Sequence, residues 1–69
     1  MQHTPVSSSN LASVGYDPDT QTLEVTFKDG STYAYAGVPA SAYDGLMASD
    51  SLGSYLHRHI KSRYAVTKL

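Results

Sequence analysis

The stretch Leu23-Glu24-Val25-Thr26-Phe27-Lys28-Asp29-Gly30-Ser31-Thr32-Tyr33-Ala34-Tyr35-Ala36 decides the fold. Its first five residues alternate apolar and polar, the period of a strand with one buried face. Lys28-Asp29-Gly30 is a hairpin turn. Ser31 to Ala36 returns as a second strand. Two registers are open to this hairpin. A two-residue Asp29-Gly30 turn of type I′ pairs Lys28 with Ser31. Tyr33 and Tyr35 then lie opposite Thr26 and Glu24, on the polar face. A type I turn with Gly30 left-handed forms a G1 bulge and pairs Phe27 with Ser31. Tyr33 and Tyr35 then lie opposite Val25 and Leu23. This second register gathers Leu23, Val25, Phe27, Tyr33 and Tyr35 on one face and leaves Glu24, Thr26, Thr32, Ala34 and Ala36 on the other. A one-residue slip exchanges whole faces, so so clean a pattern favours the bulged register.

Upstream, Leu11 to Tyr16 reads as a strand. Leu11 and Val14 break strict alternation, which marks a bulge or an irregular edge. Asp17-Pro18-Asp19-Thr20 turns the chain, with Pro18 presetting φ. Residues 1–9, with Pro5 and Ser7-Ser8-Ser9, read as a flexible arm with little to bury. Downstream, Gly37-Val38-Pro39 ends the sheet, and Pro39 suits the first turn of a helix. Tyr43, Leu46 and Met47 form an i, i+3, i+4 stripe, weakened by Gly45. Ser49-Asp50-Ser51 closes this helix and caps the next. Leu52, Tyr55, Leu56 and Ile60 give a second stripe, running to about Lys61. His59 falls within it and is expected half-buried. Tyr64-Ala65-Val66-Thr67 has strand character and suits an open sheet edge. The expected class is α+β: a three-stranded antiparallel meander, two short helices and a short C-terminal strand, in a single domain spanning 1–69.

The 69 residues sit near the lower limit for a self-sufficient core. Cysteine is absent, which excludes disulfides, thiolate metal sites and thiol nucleophiles. With 41% hydrophobic and 16% charged residues the composition is globular rather than disordered. No apolar run approaches the ~20 residues of a membrane span. Met1-Gln2-His3-Thr4-Pro5 lacks a signal-peptide pattern. A soluble cytoplasmic protein with no membrane partner is expected.

The net charge of −1 conceals a split. All six acids (Asp17, Asp19, Glu24, Asp29, Asp44, Asp50) precede residue 51, with Lys28 the single base among them. Arg58, Lys61, Arg63 and Lys68 follow, with no acid. The plainer readings are a helix end complementing its own dipole or a basic face paired with the acidic half. The functional reading is a surface that follows a polyanion.

Chemistry of other kinds finds little support. His57 and His59 at i, i+2 do not face each other on a helix, and His3 lies on the expected arm. A zinc site needs three or four converging ligands. Ser7, Ser8 and Ser9 have no nucleophile-elbow motif. Asp17, Asp19 and Asp29 lie in turns, where carboxylates cap backbone amides. No phosphate-binding glycine motif is present. A chain this short has difficulty enclosing a pocket of ~300 Å³. No enzyme activity, metal, cofactor or small-molecule substrate is expected.

Several segments together resemble the KTSC domain family. They are Val6-Ser7-Ser8-Ser9-Asn10, Gly15-Tyr16-Asp17, Leu23-Glu24-Val25 with Phe27, and Gly30-Ser31-x-Tyr33-x-Tyr35. Val38-Pro39-x-x-x-Tyr43 and Gly53-Ser54-Tyr55 leading to Ile60-Lys61-x-x-Tyr64 complete the set. The resemblance runs from Val6 to Leu69, and Tyr33-Ala34-Tyr35 looks like the family's central Tyr-x-Tyr. The family also occurs at the C-terminus of some lysyl-tRNA synthetases, and RNA binding has been suggested for it. It supplies no catalytic residues to carry over. A small Sm- or SH3-like barrel is an expected relative of the fold, by analogy alone.

Two functions follow as expectations. In the first, RNA is the partner: Arg58, Lys61, Arg63 and Lys68 contact phosphates, and Tyr33, Tyr35 or Tyr64 stack on bases where exposed. In the second, the domain is a protein-interaction or self-assembling module, using an open strand edge at Leu11–Tyr16 or Tyr64–Thr67.

Overall fold

The central hairpin adopts the bulged register in the computed structural model, which describes all residues 1–69. Strands β3 (Thr22–Phe27) and β4 (Thr32–Ala36) pair Leu23 with Tyr35 and Val25 with Tyr33. The Phe27 N–H donates to the Ser31 carbonyl at 2.8 Å, and the Gly30 N–H to the Phe27 carbonyl at 3.0 Å. Gly30 takes φ +95°, a conformation that costs glycine nothing.

Strand β2 (Leu11–Asp17) pairs antiparallel with β3, and its register shifts between Leu11 and Ser13. That bulge lets Leu11 and Val14, three residues apart, both point inward, and both are fully buried. The Asp17 carboxylate accepts from the Asp19 N–H at 3.0 Å and fastens the following turn.

The opening residues are not simply the expected arm. His3–Pro5 form an edge strand, β1, paired with Ser13–Gly15 of β2. The fastening is a side chain rather than a hydrophobic face. The His3 imidazole lies over Gly15, where a Cβ would come within 2.7 Å of the ring. Its Nδ1 hydrogen-bonds Ser13 Oγ and its Nε2 the Glu24 carboxylate, each at 2.9 Å. Leu11–Tyr16 is therefore an interior strand and offers no free edge.

Helix α1 (Ala40–Ala48) begins after Pro39, whose carbonyl accepts from the Ala42 and Tyr43 N–H groups. It buries Leu46 and stacks Tyr43 on Tyr16 of β2, ring centres 4.8 Å apart. Ser51 caps helix α2 (Leu52–Tyr55) by accepting from the Ser54 N–H. Without a break, α2 passes into a π-helical turn, Leu56–Ile60. Its i→i+5 bond runs from the Lys61 N–H to the Leu56 carbonyl at 2.8 Å. The wider turn advances fewer degrees per residue than an α-helix. Leu56 and Ile60 stay buried, while His59 swings out. His59 is thus exposed, not half-buried, with its ring against Tyr55 at 4.6 Å.

Strand β5 (Ala65–Lys68) pairs antiparallel with β4, placing Lys68 beside Tyr33 and Val66 beside Tyr35. The sheet order is β1-β2-β3-β4-β5, all antiparallel, with β1 and β5 at opposite margins. It does not close, so the expected barrel of the Sm or SH3 type is an open sheet here. Three residues of β1, one of them Pro5, are too little to bridge back to β5. The helical segments lie against one face, and Leu11, Val14, Leu23, Val25, Tyr35, Val38, Leu46, Leu56 and Ile60 form the core. No helix is long and apolar enough to cross a membrane.

Candidate nucleic-acid interface

Past Leu56 the helical segment no longer covers the sheet fully, and a groove opens between the π-helical turn and the β3–β4–β5 margin. It has a volume of about 400 Å³. Phe27, Tyr33, Tyr35, Leu11, Leu56 and Val66 give it an apolar floor, and Asn10, Asp29, Ser31, His57 and Lys61 stand along its walls. The volume exceeds what 69 residues were expected to enclose because the recess is unroofed.

The hairpin register builds this floor. Because Phe27 pairs next to Ser31, its ring meets Tyr33 edge to face, centres 5.7 Å apart and planes at 89°. Tyr33 is half-buried. Tyr35 reaches the groove only marginally: it is 3% exposed and belongs to the core. Burial, followed by the neighbouring Tyr33 hydroxyl, holds its phenol above the usual tyrosine range. As an open stacking surface Tyr35 is therefore withdrawn, since the register that puts it opposite Leu23 also puts it under the helix. Tyr64 is half-buried against the core and lies outside the groove.

The four late cations are all exposed, and none has a carboxylate within 4.0 Å. The one pair at that distance joins His3 and Glu24. The intramolecular pairing that would have explained the charge split is absent. Lys61 lines the groove, i+4 from His57, so the two share one side of the helical segment. Lys68 flanks it through its pairing with Tyr33, and its charge reaches Asp29. Arg58 and Arg63 stand elsewhere on the surface. Asp29 is an ionised hydrogen-bond acceptor. The Ser31 N–H at 2.9 Å, with help from the Ser31 side chain and Lys68, holds its carboxyl below the usual range.

Sequence reasoning named Lys61, Tyr33 and Tyr35 among the groove residues and missed Asn10, Phe27, Asp29, Ser31, His57 and Val66. Two signals were available for part of this. The bulged register implies Phe27 beside Tyr33, and the i, i+4 spacing implies His57 beside Lys61. No cluster of three or more His, Cys, Asp or Glu side chains is arranged to hold a metal.

An open five-stranded antiparallel sheet with helices on one face and a groove at its margin defines a small α+β domain. The KTSC domain profile matches residues 7–64, and the chain belongs to that family. A crystal structure of a KTSC domain protein from Yersinia pestis superimposes with a TM-score of 0.92 at 42% identity, covering 99% of this chain and 96% of that one. A protein of Stutzerimonas stutzeri is 39% identical over 64 residues, spanning 93% of this chain and 90% of its own length. A lysine–tRNA ligase of a Nostoc species is 39% identical over 54 residues. That alignment takes in 78% of this chain and 10% of the ligase.

Proposed function

We propose that this domain is a non-enzymatic binding module for single-stranded RNA, working in the cytoplasm. The observation that carries the reading is one opening shared by an aromatic floor and a cation. Tyr33 and Phe27 supply ring surface, and Lys61 supplies a charge with no carboxylate within 4.0 Å, while Lys68 flanks the opening next to Tyr33. Stacking on rings beside a cationic track is how proteins hold single strands without a duplex. Two further features support it. Arg58 and Arg63 add exposed charge, and the domain's sequence recurs as about a tenth of enzymes named lysine–tRNA ligases.

Titrating labelled single-stranded RNA at several salt concentrations tests the reading. Phosphate contacts at Lys61 and Lys68, the two cations at the groove, give a slope of log K against log salt of about −1.4, at roughly 0.7 per contact, which engagement of Arg58 and Arg63 would steepen toward about −3. Lys61→Ala should flatten it by about 0.7. Absence of binding at low salt would end the proposal.

A second reading has one specific observation in its favour. Every residue of β5 is exposed, Val66 by 48%, and its outer edge pairs with nothing. Such an edge can add a strand from another chain, including a second copy. Light scattering at high concentration separates the cases, and a strict monomer removes self-assembly.

A further inference from the structure

The groove is polar at both ends, but its one carboxylate, Asp29, stands at the hairpin end. We propose that it receives one unstacked guanine of single-stranded RNA, read along its Watson–Crick edge by the Asp29 carboxylate. This rests on the RNA reading above and deepens it to a base preference.

At the hairpin end stand Asp29, Ser31 and Asn10, with the Lys68 charge reaching Asp29, and at the helical end stand Lys61 and His57. Asp29 is the one carboxylate lining the groove, so a base that offers donors is placed toward the hairpin, with its phosphate left to Lys61. Asp29 can only accept hydrogen bonds. The Ser31 N–H holds Oδ1 at 2.9 Å, which fixes the carboxylate and leaves lone pairs on both oxygens.

Among the four bases, guanine alone presents two adjacent donors, N1–H and the N2 amino group, to a carboxylate. Cytosine and adenine each offer one amino group beside an acceptor nitrogen. Uracil sets its single N–H between two carbonyls, which a carboxylate repels. Ring contact comes from Tyr33, held edge-on by Phe27. Gly53 lines the groove without a side chain.

The test is fluorescence anisotropy at low salt with labelled, unstructured uridine-rich oligoribonucleotides carrying one central G, A, C, U or inosine. Wild type, D29N and K61A are compared, each checked for fold by circular dichroism. Asn preserves the turn bond to Ser31, because its side-chain oxygen caps the same amide. We expect the G oligomer to bind about tenfold more tightly than the A, C and U oligomers, within the range of one bidentate base contact. Inosine, which lacks the amino group, should fall between. D29N should abolish the preference, and K61A should weaken all five oligomers alike. Equal binding of all five by wild type, or a guanine preference that survives D29N, overturns this inference and leaves the RNA reading standing. Failure of every oligomer to bind overturns both.

Discussion

Tyr55 lays its hydroxyl against the backbone of Gly45, in the space where a Cβ would stand. The contact joins helix α1 to α2 and explains a glycine at the centre of a nine-residue helix. In an isolated helix, Gly→Ala stabilises by about 1 kcal/mol. Here the methyl meets Tyr55, whose Cζ is also only 2.9 Å from the Cβ position. Overpacking costs of about 1–3 kcal/mol exceed the helical gain. Gly45→Ala should therefore lower stability in urea denaturation. Adding Tyr55→Phe, which removes the nearest atom, should recover part of the loss.

Gly53 gives the opposite result. It also lies within a helix, but its nearest prospective neighbours are Asn10 Nδ2 at 3.8 Å and Leu11 Cδ1 at 4.0 Å, ordinary contact distances. Gly53→Ala should stabilise by about 0.5–1 kcal/mol, through helix propensity and a less entropic unfolded chain. The new methyl also enters the groove wall. The same variant should therefore weaken RNA binding even as its denaturation midpoint rises, a combination that a purely structural role for Gly53 does not produce.

These two glycines show what the sequence carries and what it withholds. Each lies within a helix, and only the tertiary neighbour separates them. The hairpin was legible because its two strands agree on one face, and a slip would have put Tyr33 and Tyr35 on the polar face opposite Thr26 and Glu24. The π-helical turn was not, because a stripe of Leu52, Tyr55, Leu56 and Ile60 fits an α-helix as well. Strand β1 was hidden too. His3, Thr4 and Pro5 have no strand pattern, and their pairing depends on Glu24, some twenty residues away. The cationic half of the candidate site was visible as a charge split. The groove was not, being assembled from the β1–β2 loop, four strands, a turn and the helical segment.

Asp29 gives the domain an acid-sensitive contribution. Its carboxyl is held below the usual carboxylate range, chiefly by the Ser31 N–H. A depressed folded-state value means the unfolded chain takes up this proton first as pH falls. The contribution is therefore complete above the unfolded value of about 3.9 and is lost as pH drops through the lower folded value. Asp29→Asn keeps the turn and removes the titration. Stability measured from neutral to strongly acid pH should fall less steeply for the variant than for wild type, and the two curves should differ in shape only below about pH 4.

At the alkaline end the signs reverse. Tyr16 and Tyr35 both have phenols held above the usual value, Tyr16 by burial first and then by Asp44 and Asp17. The folded state retains these protons longer than the unfolded chain. Stability from them is present below the unfolded value of about 10 and is lost as pH climbs past it. Spectrophotometric titration of the native protein should show Tyr16 and Tyr35 ionising late, a delay that denaturant removes. Tyr35→Phe should remove one late group. Tyr16→Phe should remove the other and, with it, the hydrogen bond to the Val38 carbonyl.

His3 and Gly15 should act as one unit. His3→Ala removes two side-chain hydrogen bonds that hold β1 to the sheet, each worth about 1 kcal/mol at most where the partners can hydrate. Gly15→Ala leaves those residues in place but drives a methyl to within 2.7 Å of His3 Cδ2 and 3.0 Å of Nε2 and Met1 Sδ. The ring must lift, and lifting it breaks the same two bonds. Each substitution should then cost about 1 kcal/mol and speed hydrogen exchange at the β1–β2 pairing. Once His3 is alanine, however, nothing remains above Gly15 to collide with, apart from the flexible Met1 side chain. The double variant should be no less stable than His3→Ala alone, a coupling of about 1 kcal/mol in a double-mutant cycle. Additive losses would show that Gly15 serves the strand for a reason unconnected with the imidazole.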